Sequence, residues 1–97
     1  MKNKYVIVRS HMAGVFFGVL KSKNKTEITL KKARKFYYFS GAFTVEDLAT
    51  QGALNASSCK LTIPVDEIVI SDYVQILPCT KEAIKQNNSI PTWTYKK

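Results

Sequence analysis

Apolar positions recur along this chain mostly at the two-residue period of a strand. Tyr5 to Ser10 (YVIVRS) reads as a first strand, apolar on both faces until Arg9. His11-Met12-Ala13-Gly14 interrupts it, and Val15 to Lys23 (VFFGVLKSK) predicts a second strand. Gly18 inside that strand predicts a bend or a close backbone contact. Lys23-Asn24-Lys25 is a polar turn that leads back along Thr26 to Lys32, so the two segments form an antiparallel hairpin. In the return segment Ile28 and Leu30 lie on one face, against Glu27, Thr29 and Lys31 on the other. The chain then runs through a basic cluster (Lys31, Lys32, Arg34, Lys35) and an aromatic run (Phe36, Tyr37, Tyr38, Phe39) to a Ser40-Gly41 turn. Strict alternation would put Phe36 and Tyr38 on one face and Tyr37 and Phe39 on the other.

The second half changes period once and changes back. Thr44 stands as a helix N-cap with Asp47 three residues on, Val45, Leu48 and Ala49 supply a short apolar face, and Gly52 closes the helix. Strand-like pieces follow at Cys59 to Ile63, Val65 to Ser71 and Tyr73 to Leu77, separated or ended by Pro64 and Pro78. Thr80 caps a brief helix from Lys81 to Gln86, and Ile90 to Tyr95, carrying Trp93, is a last extended piece. Short strands, tight turns and an inserted helix predict a mainly β (β-rich α+β) domain over residues 1–97. Two architectures fit: a small SH3- or Sm-like β-barrel, or a strongly bent antiparallel sheet with a short inserted helix.

Charge sharpens this picture. The net charge of the 97 residues is +8, but residues 1–35 hold ten basic side chains against Glu27 alone, and the remainder is close to neutral. That field attracts nucleic acid, nucleotides or an acidic protein. Lysines around the Lys23-Asn24-Lys25 turn also guard a sheet edge, which is the plainer reading of part of the cluster. The opening residues lack the apolar h-region of a signal peptide, and no apolar run has the length of a membrane span. Cys59 and Cys79, twenty apart with no CxxC, read as free thiols of a reducing cytoplasm.

Three stretches carry a resemblance: AGVFFGVLKSKNKTEITLKKARKFYYFSGA, then LATQGALNASSCKLTIPVDEIVISDYVQILPCTKEAI, and the closing IPTWTY. Together they resemble a family of short phage-encoded proteins with no assigned function. Its pattern is AGV-x-x-G-x-L, a turn, T-L-x-x-A-R with aromatics and G-A, a short helix, and an I-P-C-T-x-E-A tail; this chain departs from it at Tyr38, a tryptophan position in the pattern. The resemblance implies a viral origin and a life in the host bacterial cytoplasm. It implies no catalytic residues.

Catalysis has little to build on. His11 is the single histidine; a Cys–His pair with Cys59 or Cys79 is conceivable, but both cysteines read as structural, and one histidine with two distant cysteines falls short of a four-ligand zinc site. Glu46-Asp47 complements a helix dipole, Asp66 and Glu67 point to opposite faces of a strand, and Ser40-Gly41 is too short for a phosphate loop. The expectation is a binding protein with no enzyme activity, no cofactor and no metal.

Binding has a candidate patch. Arg34, helped by Lys35, Lys32 and Arg9, would hold an anionic group, with Arg34 able to bind it bidentately. Tyr37 or Tyr38 would stack on a ring, and His11 would border the site beside the small-residue turn. The bland alternative is a solvated basic face with the aromatics in the core. Three functions fit: a phage counter-defence protein that sequesters a small anionic nucleotide signal, an Sm- or SH3-like nucleic-acid binder, or an inhibitor or adaptor docking on an acidic host protein. The first ranks ahead because a compact patch suits a compact ligand. A homo-oligomer, in its simplest form a dimer through Phe36–Phe39 or the Trp93 tail, completes the reading.

Overall fold

The computed structural model describes residues 4–11, 14–39 and 44–92; Met12-Ala13, the Ser40-Gly41 turn and Trp93 lie outside them. The strands are β1 (Tyr5–Ser10), β2 (Val15–Lys23), β3 (Ile28–Tyr38), β4 (Lys60–Leu61), β5 (Val65–Ile70) and β6 (Tyr73–Pro78). Two helices, α1 (Val45–Thr50) and α2 (Lys81–Asn88), are joined by a 3-10 turn at Ala56–Ser58 and the strands between. The six strands pair with one another antiparallel, in the order β4-β3-β2-β1-β6, and Leu61 of β4 also makes an isolated parallel bridge to Thr92. β3 is long enough to hold two partners on its far side, β5 along its first half and β4 along its last residues.

Both faces of this sheet are buried, which explains why β1 reads as apolar on both sides. On one face Ile7, Phe17 and Phe36 pack with Leu48 and Ala49 of α1, and with Leu61 and Ile90. On the other, Val6, Val8 and Phe16 of β1 and β2 meet Leu30 of β3 and Ile70 of β5. β5 and β1 stand two strands apart in the sheet yet share that cluster, so the sheet curls over this face. It does not close into a barrel: β5 and β6, separated by Ser71-Asp72, pair with β3 and β1 and not with one another. Of the two architectures expected, the strongly bent sheet is the one adopted.

The bend has a local cause. Pairing steps from Phe17 opposite Arg34 to Val19 opposite Lys31, so Gly18 alone faces Lys32 and Ala33. This is a bulge on β3, and Lys32 takes the left-handed φ of 52° that it requires. A Cβ on Gly18 would lie 3.0 Å from the Lys31 carbonyl oxygen and 3.1 Å from Ala33 Cα, so only glycine lets the strands meet here.

The helices lie against the first face and are clipped together by polar contacts. Thr44 and Thr80 cap them as expected, accepting from Asp47 N at 3.2 Å and Ala83 N at 3.1 Å. The Thr80 hydroxyl also donates to the Thr50 carbonyl at 2.6 Å, and its main-chain N–H to that of Ala49 at 2.9 Å. Asn87, fully buried, accepts from Ala53 N at 3.1 Å and donates to the Leu48 carbonyl at 3.0 Å. α2 runs two residues beyond the expected Gln86 because Ser89 N still reaches the Lys85 carbonyl.

One face assignment is corrected. Alternation pairs Phe36 with Tyr38 and Tyr37 with Phe39, but the register shifts between Phe36 and Tyr38 where β3 meets β4. Phe36 and Phe39 instead pack edge to face, centroids 5.7 Å apart, against the first cluster. Tyr37 and Tyr38 are left exposed at 63 % and 54 %. An irregularity in pairing breaks the two-residue period, and periodicity alone does not reveal it.

Candidate anion-binding cleft

The residues expected to form one patch fall into separate places. Arg34 and Lys35 are neighbours in a strand and so face opposite ways. Arg34 is opposite Phe17, on the face covered by the helices, and Lys35 is opposite Phe16, on the curled face, where it extends over Gly14. Arg9, opposite Gln75, borders a separate hollow with Phe39, Val45 and Glu46. His11 is exposed, its main-chain N–H donating to the Asp72 carbonyl at 3.0 Å. Tyr37 and Tyr38 lie at the end of β3, with Tyr38 opposite Lys60. Only Arg34 and Lys32 come together.

They meet in a cleft of about 430 Å³ between the β3 bulge and the segment that follows α2. Tyr5, Pro64, Ile90 and Pro91 form its apolar walls. Tyr5 is fixed by stacking on Phe17, centroids 5.0 Å apart and planes at 18°. The left-handed backbone at Lys32 is what aims that side chain here, since a regular strand residue at that position would follow the alternation.

Arg34 is only 6 % exposed. Its Nη2 donates to the Ile90 carbonyl at 2.9 Å, its Nε to that of Thr62 at 3.3 Å and its Nη1 to that of Asn87 at 3.4 Å. No carboxylate among the described residues pairs with it; the one ion pair among them joins Lys21 to Glu67. Burial pushes the Arg34 guanidinium below its ordinary pKa, because desolvation penalises the charged form. The group nonetheless stays protonated. Carbonyl dipoles therefore carry the whole compensation of a buried cation, and two of its five N–H donors remain beyond those three bonds.

Sequence reasoning singled out Arg34 and Lys32, which line this cleft, and did not name its apolar walls. Pro64 reads as a strand break and Pro91 as part of a last extended piece, and nothing local signals that they converge on Arg34. Alternation does separate Arg34 from Lys35, and that signal was available.

Elsewhere, neither cysteine is in a disulfide; Cys59 is buried, its thiol donating to the Asn55 carbonyl, and Cys79 is half-buried. Burial pushes the Cys79 thiol up to about 12, the reverse of an activated nucleophile. Among the described residues no three His, Cys, Asp or Glu side chains group as metal ligands, and no helix is long and apolar enough to cross a membrane.

Fold and cleft together define a small mainly-β domain whose bent sheet, backed by two helices, holds a buried arginine at the wall of an open cleft. Residues 3–87 match the family described as a domain of unknown function (DUF6948), and the chain belongs to that family. Neither the curated proteins nor the solved structures contain a match.

Proposed function

We propose that this protein binds a phosphorylated small molecule, a nucleotide before others, in the Arg34–Lys32 cleft, and does not turn it over. The observation that carries this reading is the buried Arg34 guanidinium with no carboxylate partner among the described residues. A buried cation compensated by carbonyls alone favours an arriving anion, and phosphate oxygens match the guanidinium donors. Lys32 adds a second charge at the rim, while Tyr5, Pro64 and Pro91 offer apolar surface to a ring. The raised Cys79 thiol and the exposed His11 support binding over catalysis. With the viral origin that the sequence resemblance implies, the ligand would be a nucleotide signal of the infected cell, sequestered and left intact.

Calorimetric titration with cyclic and linear nucleotides, and with inorganic phosphate alone, tests this. Saturable heat with a nucleotide, and its recovery unchanged by chromatography, is the expected result. No heat and no rise in melting temperature with any of them at millimolar concentration would remove the proposal.

A second reading has its own observation: two exposed tyrosines, Tyr37 and Tyr38, stand beside Lys60 at the end of β3. Rings next to cations suit single-stranded nucleic acid. Binding of an oligonucleotide that falls steeply with salt, and fails when Tyr38 becomes alanine, would favour it.

A further inference from the structure

β5 is an edge strand. Its inner side pairs with β3 and its outer side has no strand partner among the described residues. Natural edges are guarded by charged side chains, proline or a bulge; VDEIVI has no lysine, proline or bulge, and of its two acids, Asp66 and Glu67, the second is neutralised by Lys21. The β2–β3 hairpin tip, by contrast, carries Lys21, Lys23 and Lys25. Val69, in the open part of β5, is 56 % exposed.

Charge selects the occupant. A chain of net charge +8, concentrated in residues 1–35, repels its own copies wherever those basic segments would meet. At β5 two of those basic residues, Lys21 and Lys31, are met by acids. Lys21 pairs with Glu67, and the hydrogen bond and charge of Lys21, with the charge of Lys31 beyond, hold the Glu67 carboxyl below its ordinary value. Asp66 lies beside it, so two acids and two lysines leave this edge near neutral while the rest of the molecule stays cationic.

We infer that β5 pairs with β5 of a second copy of this chain, antiparallel and about a two-fold axis, to extend the sheet across a dimer. Two identical edges can meet only in registers where facing residues turn their main-chain groups the same way, both outward or both inward, so the axis passes through a residue and not between two. An axis at Ile68 sets Glu67 opposite Val69 and Asp66 opposite Ile70 of the second copy. An axis at Glu67 would set two glutamates face to face, which is unfavourable. The Ile68 register pairs every acid with an aliphatic side chain and covers Val69 from both copies. A single strand pair buries little surface, so the dimer is a weak one.

Sedimentation of the full chain over a wide concentration range tests this. The mass should rise from 11.0 kDa toward twice that value as concentration increases. Screening the net charge should strengthen association between ~0.05 M and ~0.5 M salt, whereas an interface built on intermolecular ion pairs would weaken. Val69→Lys, at an exposed position, should weaken association by about tenfold or more without altering the circular dichroism. Val74→Lys on β6, at a residue equally exposed at 56 %, should leave it unchanged. Monomer mass at every concentration and salt would overturn the inference. So would undiminished association of Val69→Lys, or its loss in Val74→Lys.

Discussion

Arg34 Nη2 donates to the main-chain oxygen of Ile90 at 2.9 Å, tying the middle of the longest strand to a residue fifty-six positions later. The same guanidinium reaches the carbonyls of Thr62 and Asn87, so one side chain fastens β3 to the stretch after β4 and to the end of α2. Its placement also makes it the wall of the cleft. Fold and proposed binding therefore share a residue, and variants must separate the two.

Replacing Arg34 with methionine keeps the apolar stem and removes every donor. Three carbonyls then lose their partners, and stability should fall by about 2–4 kcal/mol. Arg34→Lys should recover part of this, because one ammonium retains the charge but lacks the planar fork. Urea unfolding measures both. A methionine variant as stable as the parent would mean that the carbonyl contacts contribute nothing.

Lys32 offers the cleaner test of binding. Its φ of 52° is uncommon for lysine and well tolerated by asparagine. Lys32→Asn should leave stability unchanged or raise it slightly, while nucleotide affinity drops about tenfold through loss of one charged contact. Equal affinity in the variant and the parent would remove Lys32 from the site.

Asn87 reinforces the α1–α2 junction through its side chain, beside the Thr80 and Gln86 contacts. Asn87→Ala strands the Ala53 N–H and the Leu48 carbonyl in a buried position, at a cost of about 2–4 kcal/mol. Amide exchange should show the loss locally, with the Ala53 amide deprotected more than those of β1. Uniform change across both would contradict a junction role.

Cys79 gives a pH signature. Its thiol is pushed up to about 12 from 9.0 in the folded chain, so between these values the unfolded state ionises and the folded state does not. The unfolded state then binds fewer protons, and stability falls as pH rises above 9. Thermal melts from neutral pH upward should show the parent losing stability faster than Cys79→Ala. Parallel curves would place the thiol in water.

The sequence by itself determined the local elements. The bounds of β1 and β2, the caps at Thr44 and Thr80, and the close backbone contact at Gly18 follow from the apolar period, an oxygen ahead of a helix and a missing Cβ. Each of these is decided within a few residues. The tertiary structure decided the rest. Whether the sheet closes depends on the partners that β5 and β6 find, and those lie in β3 and β1. Which aromatics are buried depends on a register shift set by β4, so Phe36 and Phe39 went inward together and Tyr37 and Tyr38 outward. Arg34 sits in the sequence as one member of a basic cluster. Carbonyls supplied from positions 62, 87 and 90 turn it inward, because a desolvated guanidinium must take its hydrogen bonds from whatever the fold brings within reach.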